Sequence, residues 1–172
     1  MKSRPSFADL IAFNIAVIGQ GRALAQHYFE HAAAFGNQVG PHLRHIIEHY
    51  EALLHRRAGE LVDYDHRARD RTVEQSPVVA ARRLDGIAAS LHALGDHQPD
   101  ETVSVGFAIG LAGGQFHLSP STLARELNFV ASHAIHHYAL IRPLAEATGM
   151  PLPAAFGKAP ETVRHEQLQW AM

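Results

Sequence analysis

The chain has 172 residues, a length that suits one domain and lets roughly 70% of the unfolded-chain surface be buried. Hydrophobic residues make up 47% and charged residues 19%, which excludes general disorder, and 15 Lys and Arg against 17 Asp and Glu argue against a nucleic-acid or anionic-membrane surface. Cysteine is absent, so disulfides, thiolate metal sites and cysteine nucleophiles are excluded together.

The first periodic segment runs from about Ser6 to His31. Leu10, Phe13, Val17, Leu24 and Tyr28 recur mostly at three- or four-residue steps, the pattern of an amphipathic helix. Its uncharged part, Leu10 to Gly21, is interrupted by Asn14 and Gln20 and does not read as a membrane span. Gly19 and Gly21 read as close-packing positions. They are not a dinucleotide fingerprint, because Leu24 stands at the third glycine position and no β-α-β alternation follows. Gly36, Asn37 and Gly40 mark a loop, and Pro41 opens a second helix that reaches about Gly59. The polar stretch 62–70 reads as an ordered loop. Its Tyr64, Asp65, Arg67, Arg69 and Asp70 either form a polar lip for an anionic substrate or simply pair among themselves.

Ser76-Pro77 is a strong helix start, and the third helix stops near Gly95. Val103, Val105, Phe107 and Ile109 then alternate with small residues. Gly110 to Gly114 turn the chain, and Phe116 and Leu118 return it, so a β-hairpin is expected. Five glycine or proline interruptions between Thr102 and Ala124 rule that uncharged run out as a bilayer helix. Ser119 or Ser121 is the expected cap of a fourth helix to about Gly149, which Pro143 kinks or ends. The tail from Met150, with Pro151, Pro153, Gly157 and Pro160, reads as an extended strap. The expected architecture is an all-α four-helix bundle, a single domain over residues 1–172. It has long crossover connections and a small β-hairpin before the last helix. No export signal is read, and a cytoplasmic protein is the expectation.

Histidine is the outlier, with 14 residues. Two clusters stand out. His42, His45 and His49 spread over roughly 60° of one helix face. His133, His136 and His137 lie on the fourth helix, where His133 and His137 are four residues apart and point the same way. A histidine pair at that spacing is a bidentate metal clamp, and a third imidazole from a facing helix would complete a site with an open position. Nitrogen donors without sulfur favour Zn, Ni, Fe or Cu over Mg or Ca. The paired Glu-x-x-His motifs of a di-iron bundle are missing, so one mononuclear ion is the count. Glu126 lies seven residues before His133, on nearly the same face, and either orients a ligand or bound water or pairs with Arg125 in solvent. Glu48 is either a carboxylate supporting the ligands or a surface charge. The other eight histidines read as ordinary.

His42-Leu43-Arg44-His45-Ile46-Ile47-Glu48-His49 and the segment from Arg125 to Tyr138, with Val62-Asp63-Tyr64-Asp65 and Phe156-Gly157-Lys158-Ala159-Pro160, resemble the DinB-like superfamily over most of the chain. The resemblance implies a four-helix bundle with long crossovers and often a homodimer. It also implies one divalent transition metal (Zn, Ni or Fe) held by a helix-two histidine and a His-x-x-x-His pair. On this sequence the pair is His133 and His137. The helix-two ligand best matches His45, which is followed by Glu48, with His49 the competing choice. His42, Glu48 and His136 then surround the ligands, and His49, His42 or Glu126 moves protons. Similar proteins include bacillithiol- and mycothiol-dependent transferases, isomerases and metal-dependent hydrolases. The implied partners are a small-molecule substrate and a low-molecular-weight thiol. Here His136-His137 is followed by Tyr138-Ala139 where the family often continues Arg-Gly-Gln, so substrate preference does not carry over. The alternative is a stress-response or binding module in which a metal, or the histidines alone, only stabilise the bundle.

Overall fold

The computed structural model describes residues 5–57 and 59–170. Helix α1 (Phe7–His27) begins with a reciprocal cap. Ser6 Oγ accepts from the Asp9 amide at 3.2 Å, and the Asp9 carboxylate accepts from the Ser6 amide at 2.7 Å. Two amides that would lack helical partners are thereby satisfied. By length and composition alone α1 could cross a membrane. In the fold, its face of Ile11, Asn14, Val17, Ile18, Gly21 and Leu24 is buried.

A short α2 (Ala32–Ala34) passes through a π turn, Phe35–Val39, into α3 (Gly40–Leu54). The loop expected at Gly36–Gly40 is therefore helical. Gly40 serves close approach instead, since a Cβ there would lie 1.8 Å from the Glu74 carbonyl oxygen. After strand β1 (Val62–Asp63), Asp70 caps α4 (Arg71–Gln75) by accepting from the Thr72 amide at 2.9 Å. Ser76 caps α5 (Pro77–Ala93) as its position before Pro77 suggests, and a 3-10 turn at Leu94–Asp96 ends it. Strands β2 (Thr102–Ile109) and β3 (Gln115–Thr122) pair antiparallel along their whole length, with Ile109 opposite Gln115. Gly110 and Gly113, at φ 86° and 66°, make the turn in a region that suits glycine. The cap of α6 (Leu123–Glu146) is Thr122, not Ser119 or Ser121, and Pro143 falls in its last turn.

The expected all-α four-helix bundle with a small hairpin does not hold. Val62 and Asp63 pair in parallel with Val105 and Gly106, which makes a three-stranded mixed sheet in the order β1-β2-β3. Two paired residues are too short a run for alternation to reveal, so the stretch reads as loop until the buried Val62 is seen docked on β2. The helices also exceed four: α4 and a terminal α7 (Pro160–Trp170) join the four long ones. The α7 residues have no apolar stripe, so nothing in the tail's pattern announces a helix. Only its first part is a strap. There Phe156 is buried against Tyr138, with ring centroids 5.2 Å apart, and Arg142 donates to the carbonyl oxygens of Phe156 and Pro153 at 2.6 and 2.9 Å.

The long helices α1, α3, α5 and α6 share one contiguous core. α1 packs along α5 and α6, and α3 packs against the same two. This arrangement lays the inner faces of α3 and α6 against each other, with the sheet at the N-terminal end of α6.

Candidate metal centre

Ring spacing on α3 and α6 brings the two histidine clusters together. His45 Nε2 and His133 Nε2 are 2.8 Å apart. His49 sits one turn beyond His45, and its ring lies 4.4 Å from that of His133. One nitrogen from each of His45, His49 and His133 falls within 4.8 Å of the others. His49 Nδ1 donates to the His45 carbonyl oxygen at 2.8 Å. That bond fixes the tautomer, because a carbonyl can only accept, and it leaves the Nε2 lone pair either to accept from Arg67, 3.3 Å away, or to bind an ion. The His49 ring is held flat between Tyr64, at 5.4 Å and 11°, and His133, at 25°.

The sequence nominated His45, His133 and His137, with His49 as rival or proton carrier. The nitrogens that converge are those of His45, His49 and His133. The His137 ring adjoins them, 4.6 Å from His45 and 4.8 Å from His133, while its Nδ1 faces His42 Nδ1 at 2.9 Å. His42 therefore joins the group through His137. His136 is exposed on the outer side of α6, with its ring 5.7 Å from that of His137.

Burial keeps these imidazoles neutral. It draws His45 down to about 3, helped by His49, Arg67, His137 and His133. It draws His49 to about 4 against the opposing bond to His45, and His137 to about 4 with His133 and His42 adding to the effect. His42 and His133 are also lowered, first by burial and then by His136. Neutral imidazole is the form that binds a metal. The donor set thus fits a divalent transition ion: nitrogen only, deprotonated, and drawn from two rigid helices. Donors about 2.0–2.1 Å from one tetrahedral ion stand about 3.3 Å apart, so the His45–His133 contact would widen slightly to admit one.

Glu126 is buried and not paired with Arg125. Its Oε2 accepts from Tyr64 Oη at 2.8 Å and its Oε1 from Ser121 Oγ at 2.6 Å. Glu48 is buried too. It accepts from the Asp70 amide at 2.8 Å and lies 3.6 Å from Arg67 Nε. Arg67 also donates to the Tyr64 carbonyl and, at 3.3 Å, to His49 Nε2. The 62–70 segment is therefore held by carboxylates of α3 and α6 rather than by its own ion pairs.

The sequence reading missed the hydroxyl of Tyr64 as the partner of Glu126, since a loop residue carries no periodicity. It also missed Phe129, whose ring stacks at 5.8 Å on His133; its position one helical turn before His133 was the available signal. Tyr64, Phe129, Val105 and Phe107 wall a cleft of about 410 Å³ that opens beside His49.

The fold and site define a mainly helical protein with a three-histidine centre at the meeting of two helices. No protein-family profile matches the chain, and no solved structure matches it. The chain is similar to FK506-binding protein 5 of Rhizopus delemar, 28% identical over 109 residues. The match covers 63% of this chain and 28% of that protein.

Proposed function

We propose that the chain is a divalent-metal-dependent enzyme acting on a small molecule, with His45, His49 and His133 as ligands and a thiol-dependent transfer or a hydrolysis as its reaction. The observation that carries this reading is the convergence of three neutral imidazoles, one oriented by its own helix's carbonyl, beside an open cleft. A bound ion there supplies Lewis acidity, which lowers the pKa of a bound water or thiol and polarises an electrophile. The chain's own residues do the rest. Tyr64 and Phe129 shield one side of the cluster, and Arg67, which donates to His49 Nε2 at 3.3 Å, gives up that bond when Nε2 takes the ion. Glu126 borders the cleft with both oxygens accepting hydroxyl protons, and is the group assigned to proton movement. The resemblance to the DinB-like superfamily supports the same reading. A homodimer and a low-molecular-weight thiol partner belong to the proposal on that resemblance alone.

A second reading has one observation in its favour. The 2.8 Å contact between His45 and His133 can join α3 to α6 as a direct hydrogen bond, as a binding module stabilised by its histidines would require. Metal analysis of protein prepared without an affinity tag separates the two. Enzyme chemistry predicts one equivalent of Zn, Ni or Fe, lost in both His45→Ala and His133→Ala. Unchanged metal content in both variants removes these ligands. A metal-free wild type that loses stability in both variants selects the module.

A further inference from the structure

We propose that the cleft beside His49 selects a small molecule with an apolar or aromatic body and one anionic end, the anion being taken by the Arg125 guanidinium. The inference rests on the reading of the histidine cluster as an enzyme centre.

Two adjoining hollows of about 410 and 400 Å³ share Val105, Phe107, Arg125 and Glu126 as walls. Their size is that of a small-ligand site. Phe107 and Phe129 give the cleft an apolar wall from the sheet and another from α6. Three charged residues besides the histidine border it, and two of them are already engaged. The Glu126 oxygens accept from Tyr64 and Ser121. Asp65 Oδ2 accepts from the Ala108 amide at 2.6 Å. Arg125 differs. It is exposed, and among the described residues no carboxylate lies within ion-pairing distance of it.

Its backbone lies in the first turn of α6. A guanidinium offers a planar fork that matches a carboxylate or phosphate with two parallel bonds. Apolar walls supply affinity, and a cation at one end supplies orientation. A ligand seated this way presents its opposite end to His49 and the converging imidazoles.

The test uses three probes of one shape, 4-phenylbutanoate, 4-phenylbutan-1-ol and 4-phenylbutylamine. They are titrated by calorimetry into metal-free and zinc-treated protein, as wild type, Arg125→Gln and Arg125→Lys. The expected result is that the acid binds about fivefold more tightly than the alcohol, with the amine weakest, in both preparations. Arg125→Gln removes the difference and Arg125→Lys keeps part of it, with the thermal midpoint unchanged. Equal binding of acid and alcohol, no binding of any probe, or a preference that survives Arg125→Gln overturns the proposal. A preference confined to zinc-treated protein and indifferent to Arg125 places the anion on the ion; that overturns Arg125 as the anchor and leaves the enzyme centre standing. An Arg125-dependent preference in protein that binds no zinc keeps this inference and removes the metal reading.

Discussion

Gly19 and Gly21 lie two residues apart in α1 and respond oppositely to a methyl group. A Cβ at Gly21 would sit 2.5 Å from Tyr138 Oη, whereas a Cβ at Gly19 meets nothing within 4 Å. Gly21→Ala should therefore destabilise by about 1–3 kcal/mol through overpacking. Gly19→Ala should stabilise by about 0.5–1 kcal/mol through helix propensity. Urea denaturation of the two variants checks the pair, and shifts of the same sign would refute it. From sequence both glycines look alike, because only the packed partner tells them apart. The histidines show the same limit. Spacing places His45, His49, His133 and His137 on facing surfaces, and that much was legible. Which nitrogens meet depends on ring rotation, set by partners such as the His45 carbonyl and His42, and spacing carries no trace of it.

Elements that announce themselves by period or cap were legible in the chain: α1 from its stripe, α5 from Ser76-Pro77, the hairpin from alternation and glycines. Elements held by a few tertiary contacts were not. Strand β1 exists because Val62 docks on β2, and α7 is a helix without an apolar stripe, whereas the strap before it, which the prolines announced, is pinned by Phe156 on Tyr138 and Arg142. The strap gives a test at this scale. Phe156→Ala should cost about 3–5 kcal/mol, as loss of a buried aromatic ring does. It should also raise amide exchange in residues 151–170 more than in α3. Exchange that rises equally in both segments would show that the ring serves the whole core rather than the tail.

Across the molecule, the histidine cluster makes stability depend on pH. In the unfolded chain His42, His45, His49, His133 and His137 protonate near about 6.5. In the fold His49 and His137 resist protonation down to about 4 and His45 down to about 3. Below pH 6.5 the unfolded state therefore binds more protons, and stability falls as pH falls through that window. The urea midpoint of metal-free protein should be level above about pH 7.5 and decline steadily from about 6.5 to 4. A midpoint level down to about pH 4.5 would contradict the burial of these rings.

The 62–70 segment is moored to α3 through Glu48 and to α6 through Glu126 by way of Tyr64. Parting those helices far enough to pass anything between His45 and His133 strains both moorings at once. The belt therefore couples the spacing of those helices, and with it the His45–His133 contact, to the seating of residues 62–70.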